Sequence, residues 1–222
     1  RVYYSFDQST GTLTISGNGE MSNYGLWEKT PWNSYKNSIK NLEITNLVKS
    51  IGNCAFKNCI GLTSVTIEPI EHLAFYGKEG LNSLFTSTGV KNVGNSAFEG
   101  CIGLTSITIP SSVTEIGFRA FDGCSGLNSV TIESWKAAGR SKEKKNVGHF
   151  AFGGCIGLAS ITIPDTVTKI GWSVFRGCIN LTSVTYLGNT KPAYGGYIFS
   201  DCSNLSSVKA PPDYNKSSDF CG

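Results

Sequence analysis

The sequence predicts a solenoid, a coil of short turns stacked one upon the next. Three observations predict it. The motif IGxxAFxGCxGLTSVTIPxxVTxI recurs in register from Ile51, Val93, Ile116, Val147 and Ile170, with a degraded copy from Tyr197. Its phenylalanine falls at Phe56, Phe98, Phe121, Phe152, Phe175 and Phe199. The spacings are 42, 23, 31, 23 and 24, so the base period is 23, with extra lengths of 19 and 8 in the first and third units. Within a copy the apolar residues alternate as in a strand: Leu104, Ile107 and Ile109 point inward while Ser106 and Thr108 face out.

Each part of the chain takes its place in that coil. Residues 1–40 form an N-terminal β cap. Tyr3, Phe6, Leu13 and Ile15 alternate around Ser9-Thr10-Gly11, and Trp27 and Trp32 are large enough to cover the first turn. A half-repeat follows, in which Leu42, Ile44, Val48 and Ile51 match Ile107, Ile109, Val113 and Ile116. The repeats occupy residues 41–210, with insertions at about 68–92 and 133–146. Gly103 and Pro110 punctuate the strand ends, Val113 and Ile116 point inward on the return, and Phe121 fills the far side. Separate hairpins would need polar turn signals between the strands, and these are missing. Pro211-Pro212 stops the strand rhythm, leaving 211–222 as a polar tail with no evident cap. The chain starts at Arg1 with no signal sequence, as expected of a piece of a longer protein.

Composition agrees with a repeat and narrows the function classes. Glycine numbers 26 of 222 residues, well above the usual share of about 7%, and it follows the repeat at Gly52, Gly94, Gly117 and Gly171. A net charge of +3 is too small to point to nucleic acid. No apolar run is long enough for a membrane span. The two histidines, His72 and His149, have no evident nucleophile or carboxylate partner, and His149 sits in a variable slot read as equivalent to Arg119. No phosphate-binding, dinucleotide or hydrolase motif is present. The reading is therefore not an enzyme, with no cofactor and no metal.

Eight cysteines would suggest four disulfides in a secreted chain. Yet Cys59, Cys101, Cys124, Cys155, Cys178 and Cys202 share one slot, where stacked side chains point the same way and suit a disulfide poorly. A ladder of buried thiols is expected, with inter-turn disulfides as the alternative. Cys54 lies off the ladder and Cys221 in the tail, and either could be a reactive thiol.

A period of 23 lies in the leucine-rich-repeat range. The recurring IGxxAFxGCxxLxxVxIP, with the entry stretch GTLTISGNGEMSNY from Gly11 and then Pro31 and Trp32, resembles the BspA-like leucine-rich repeat family of cell-surface proteins. That resemblance implies a right-handed coil of the α/β leucine-rich-repeat type with a parallel concave β-sheet and short helical or 3-10 turns on the convex side. It also implies an extracellular or cell-surface role in adhesion or host contact, without catalytic residues.

Two places are candidates for binding. One is the outward strand face, with Ser106, Thr108, Ser129, Thr131, Ser160 and Thr162 at its centre and Ser64/Thr66 and Ser183/Thr185 beside them. Its uniform small hydroxyls are also plain strand fillers. The other is the pair of insertions. Both leave after Ile-Glu, at Ile67-Glu68 and Ile132-Glu133, where other turns have Ile-Pro, and both re-enter through Lys-Asn-Val-Gly, so they project from one edge. The first carries Phe75 and Tyr76. The second carries Trp135, Lys136, Arg140, Lys142, Lys144 and Lys145, an aromatic anchor with a basic rim, although such a charge run is often only a solvated loop. The expected partner is a host or matrix protein or a surface glycan, bound by a monomer; the alternative is a structural spacer in a longer surface protein.

Overall fold

The computed structural model describes residues 1–45, 47–68, 89–134 and 144–212. In chain order the strands are β1 Val2–Asp7, β2 Thr12–Gly17, β3 Gly19–Glu20, β4 Asn41–Ile44, β5 Val48–Ile51, β6 Ser64–Ile67, β7 Asn92–Val93 and β8 Ser106–Ile109. They continue as β9 Glu115–Ile116, β10 Ser129–Ile132, β11 Lys145–Val147, β12 Ser160–Ile163, β13 Val167–Ile170, β14 Ser183–Tyr186, β15 Ala193–Tyr194 and β16 Ser207–Lys209. One 3-10 helix, Asn33–Tyr35, lies in the N-terminal region.

Each turn contributes one strand to each of two rows, and the repeat joins neighbours in parallel register, as in Ser129 opposite Ser106 and Thr131 opposite Thr108. The second row, which the sequence reading saw only as an inward return, is the continuous one. It is a seven-stranded sheet ordered β15-β13-β11-β9-β7-β5-β3. The Ser/Thr row, expected as one uninterrupted sheet, is instead three: β1-β2-β4-β6, then β8 with β10, then β12-β14-β16. The breaks have a chemical cause. Where the ladder holds, the residue after the strand donates its N–H to the previous turn: Glu68 to Ile44, Glu133 to Ile109 and Leu187 to Ile163. After β8 and β12 that residue is Pro110 or Pro164, which has no N–H to give, so this rung is missing at β6/β8 and β10/β12, where the row divides.

The core is a column of identical slots. Trp32, Phe56, Phe98, Phe121, Phe152, Phe175 and Phe199 run ring on ring at centroid separations of 5.2–5.7 Å, tilted by no more than 19°. These are offset-stacking distances. Trp32 ends the column: it is 3% exposed, its indole N–H donates to the Ala55 carbonyl at 2.9 Å, and Tyr4 and Tyr24 meet its ring edge-on. Trp27, expected to share that task, does not, being 95% exposed. The hairpin β1–β2 joins the first row through β2 paired parallel with β4, and β3 starts the second row against β5.

Beside the rings stands the cysteine column. Each thiol donates to the phenylalanine carbonyl one turn back: Cys101 to Phe56, Cys124 to Phe98, Cys155 to Phe121, Cys178 to Phe152 and Cys202 to Phe175, at 3.0–3.3 Å. All six ladder cysteines and Cys54 are free thiols; Cys221 lies outside the described residues. The return segments close with i→i+3 backbone bonds of the 3-10 kind, such as Ala55 to Gly52 and Cys59 to Phe56. Turn-to-turn contact is so close at the Gly94 slot that a Cβ there would stand 2.7 Å from the Asn53 nitrogen.

Candidate functional site

The hydroxyl row is presented as the alternation predicts. Ser106, Thr108, Ser129, Thr131, Ser160 and Thr162 are all exposed, and their strand neighbours Ile107, Ile109, Val130, Ile132, Ile161 and Ile163 are buried. At the N-terminal end the same face carries larger polar groups, and the Ser64 hydroxyl donates to the Asn41 side-chain oxygen at 2.8 Å.

The insertion edge is partly different from expectation. Phe75, Tyr76, Trp135, Lys136, Arg140 and Lys142 lie outside the described residues. Lys144 is exposed at the foot of the second insertion. Lys145 is no part of a basic rim: it is 2% exposed, and its ammonium donates to the carbonyls of Pro110 at 3.2 Å, Ser111 at 3.0 Å and Val113. A register shift explains this. Lys145 pairs with Val167 and Asn146 with Lys169, so one residue of β13 is skipped and the lysine falls in the inward slot that Val113 and Val167 hold in neighbouring turns. Its stem fills the apolar slot and its charge takes the carbonyls of the preceding connector. From the other end, Glu133 accepts from the Ser111 N–H at 3.2 Å, so both ends of the insertion are fastened to one connector.

The variable slots after the second row form a third surface that sequence reasoning missed. The slot after the Gly94-type glycine starts as an amide ladder: the side-chain oxygens of Asn23, Asn53 and Asn95 each accept the backbone N–H one turn on, at 2.8 Å. His149 is a member of this slot, its Nδ1 accepting from Trp172 N–H at 2.8 Å. It therefore aligns with Phe118 and not with Arg119. The next slot is left-handed in every turn, with φ of 53–61° at Cys54, Ser96, Arg119, Phe150, Ser173 and Tyr197. The two slots bring Phe118, Phe150, Trp172 and Tyr197 to the surface in successive turns. Phe118 and Phe150 meet edge-on at 6.3 Å with the Arg119 guanidinium over both rings, and Trp172 and Tyr197 stand 6.1 Å apart. The signal was there in the aligned copies, but as differing residue types in slots read only as variable.

Burial governs the thiols. It pushes the Cys59, Cys124 and Cys178 thiols up to about 12, and those of Cys101 and Cys155 well above the ordinary value. Held protonated in this way, these five thiols are poor nucleophiles and poor metal ligands. Among the described residues no group of three or more His, Cys, Asp or Glu could hold a metal ion, and no helix is long and apolar enough to cross a membrane.

The chain is similar to known proteins in the same terms. It is 22% identical to a leucine-rich repeat protein of T. pallidum, with 97% of this chain and 91% of that one covered and a TM-score of 0.61, a likeness of fold. A leucine-rich repeat protein of Eubacterium ventriosum (21% identity, 93% and 75% covered, TM-score 0.38) and a leucine-rich cell surface protein of Faecalibacterium prausnitzii (18%, 95% and 94%, TM-score 0.27) also match. No curated protein matches in sequence. The family model described as "BspA type Leucine rich repeat region" matches residues 33–136 and 138–221, in six copies. With its strand rows and stacked slots, the chain belongs to the BspA-type leucine-rich repeat family.

Proposed function

We propose that this protein is a non-enzymatic interaction module of the cell surface or extracellular space, binding a protein or glycan through its outward repeat positions. One observation carries the reading. The inward slots hold the same few residue types in turn after turn, whereas the slots after the second row change from Asn53 and Asn95 to Phe118, His149 and Trp172. Constant slots serve the stack, and exposed slots that vary on a rigid scaffold are where selectivity can reside. The exposed Ser/Thr row and Lys144 border the same coil and extend the surface open to a partner.

Glycan and matrix-protein arrays test the reading. Saturable binding of the intact chain to at least one partner is expected, weakened by deletion of residues 136–144 if the insertion edge contributes. Lys145 is kept intact in that deletion because it is buried. Binding to no partner on either array would overturn the reading in favour of a structural spacer, which the uniform hydroxyl row suits.

A further inference from the structure

We propose that Phe118, Phe150, Trp172 and Tyr197 form a stacking platform for an extended, uncharged polysaccharide; this rests on the interaction reading above and names its partner. The first argument is exposure. Trp172 is 51% and Tyr197 71% exposed, in a protein whose other aromatic column is buried from Trp32 through Phe175. The second is orientation. A Cβ at Gly195 would stand 2.5 Å from Trp172 Cδ1, and one at Gly196 would stand 3.0 Å from its Cζ3. The indole thus lies against a bare Gly-Gly backbone, and any side chain there would displace it. Half of the residue nonetheless remains exposed, as a platform requires.

The fold itself does not ask for these rings. Ser96 and Ser173 satisfy the left-handed slot that Phe150 and Tyr197 occupy, and bulky residues are rare at positive φ. Charge then selects the partner. The Arg119 guanidinium lies 3.6 Å from the Asp122 carboxylate, and that of Arg176 lies 3.1 Å from Asp201, so the arginines of the patch are already matched. A polyanion gains little here. A pyranose ring presents C–H bonds on its faces and hydroxyls around its rim, which suits exposed aromatic faces beside polar groups. Those polar groups are adjacent: a groove of about 230 Å³ crosses β3, β5, β7 and β9, is lined by Glu20, Asn53, Asn92, Asn95 and Glu115, and ends at Gly117, the residue before Phe118.

Affinity electrophoresis of the whole chain in gels containing β-glucan, galactomannan or xylan is the test, with heparin and a proline-rich peptide as counter-probes. At least one neutral polysaccharide should retard the protein. Trp172→Ala and Phe118→Ala should each weaken retardation by about tenfold or more, the loss expected of an aromatic anchor. Trp27→Ala should not change it, and circular dichroism should show each variant folded. The proposal is overturned if no neutral polysaccharide retards the chain, if the Trp172→Ala/Tyr197→Ala double variant binds as the parent does, or if heparin or the peptide is the ligand these residues hold. Array binding that survives the double variant removes the platform and leaves the interaction reading standing. Absence of binding on the arrays as well removes both.

Discussion

Raising the pH should unfold this protein through its cysteine column. Burial, first among the causes, holds Cys59, Cys124 and Cys178 at about 12 against an ordinary 9.0, and holds Cys101 and Cys155 well above 9.0 too. In the unfolded chain these thiols ionise from about pH 9, whereas in the fold they stay protonated. Because the folded values are raised, the stability they contribute is fully present below pH 9 and is lost as pH climbs from there through 12. Each thiol then removes about 1.4 kcal/mol per pH unit, so the five together remove about 7 kcal/mol by pH 10. That is comparable with the whole stability of a typical domain, about 5–15 kcal/mol.

Urea unfolding under reducing conditions at pH 8, 9 and 10, followed by circular dichroism, measures the slope. Lysine and tyrosine titrations overlap the range, so the comparison is with Cys155→Ala, which removes one thiol and leaves the rest. The variant should be less stable at pH 8, from the vacated space and the lost bond to Phe121. Above pH 9 its slope should be shallower by one proton, about 1.4 kcal/mol per pH unit. Equal slopes in the two proteins would refute the reasoning. So would native thiols that react with a disulfide reagent as fast as denatured ones.

Three further outcomes are expected. Trp32→Ala strips the terminal ring from the column and orphans the Ala55 carbonyl, at a cost of about 3–5 kcal/mol read as a lower urea midpoint. Lys145→Ala should cost about 2–4 kcal/mol, because the carbonyls of Pro110, Ser111 and Val113 lose a charged donor and the Val-like slot empties. Lys145→Met, which keeps the stem, should recover part of that, and equal midpoints for the two would show that packing plays no part. Gly94→Ala forces a Cβ against the Asn53 backbone and should lower the thermal midpoint by several degrees, about 1–3 kcal/mol of overpacking; an unchanged midpoint would show that the turns can part to admit a methyl group.

Much of this molecule was legible in the aligned copies. The inward Leu-x-x-Ile-x-Ile set, the phenylalanine column and the thiol ladder follow because equal sequence at a short, fixed period gives equal local structure, and stacking brings equal slots together. The outward Ser106 and Thr108 pairs follow from the two-residue alternation of a strand. The second sheet was harder to see, since strands as short as Asn92–Val93 and Glu115–Ile116 are too brief to carry a periodicity. The same holds for the aromatic surface, whose members come from four turns and differ in type.

What the sequence by itself determined is therefore the repeating unit: which side chains turn inward, and that turn must cover turn. Tertiary structure alone decided what depends on one turn meeting the next. Pro110 and Pro164 each take a rung from the first row, because the N–H they lack is needed by the previous turn, not by their own. Lys145 is buried because β13 pairs with β11 one residue out of step, a register no local pattern records. Trp32 enters the column and Trp27 does not because only one of them reaches Phe56. The aromatic platform exists because the coil lays residues from separate turns side by side, about 5 Å apart.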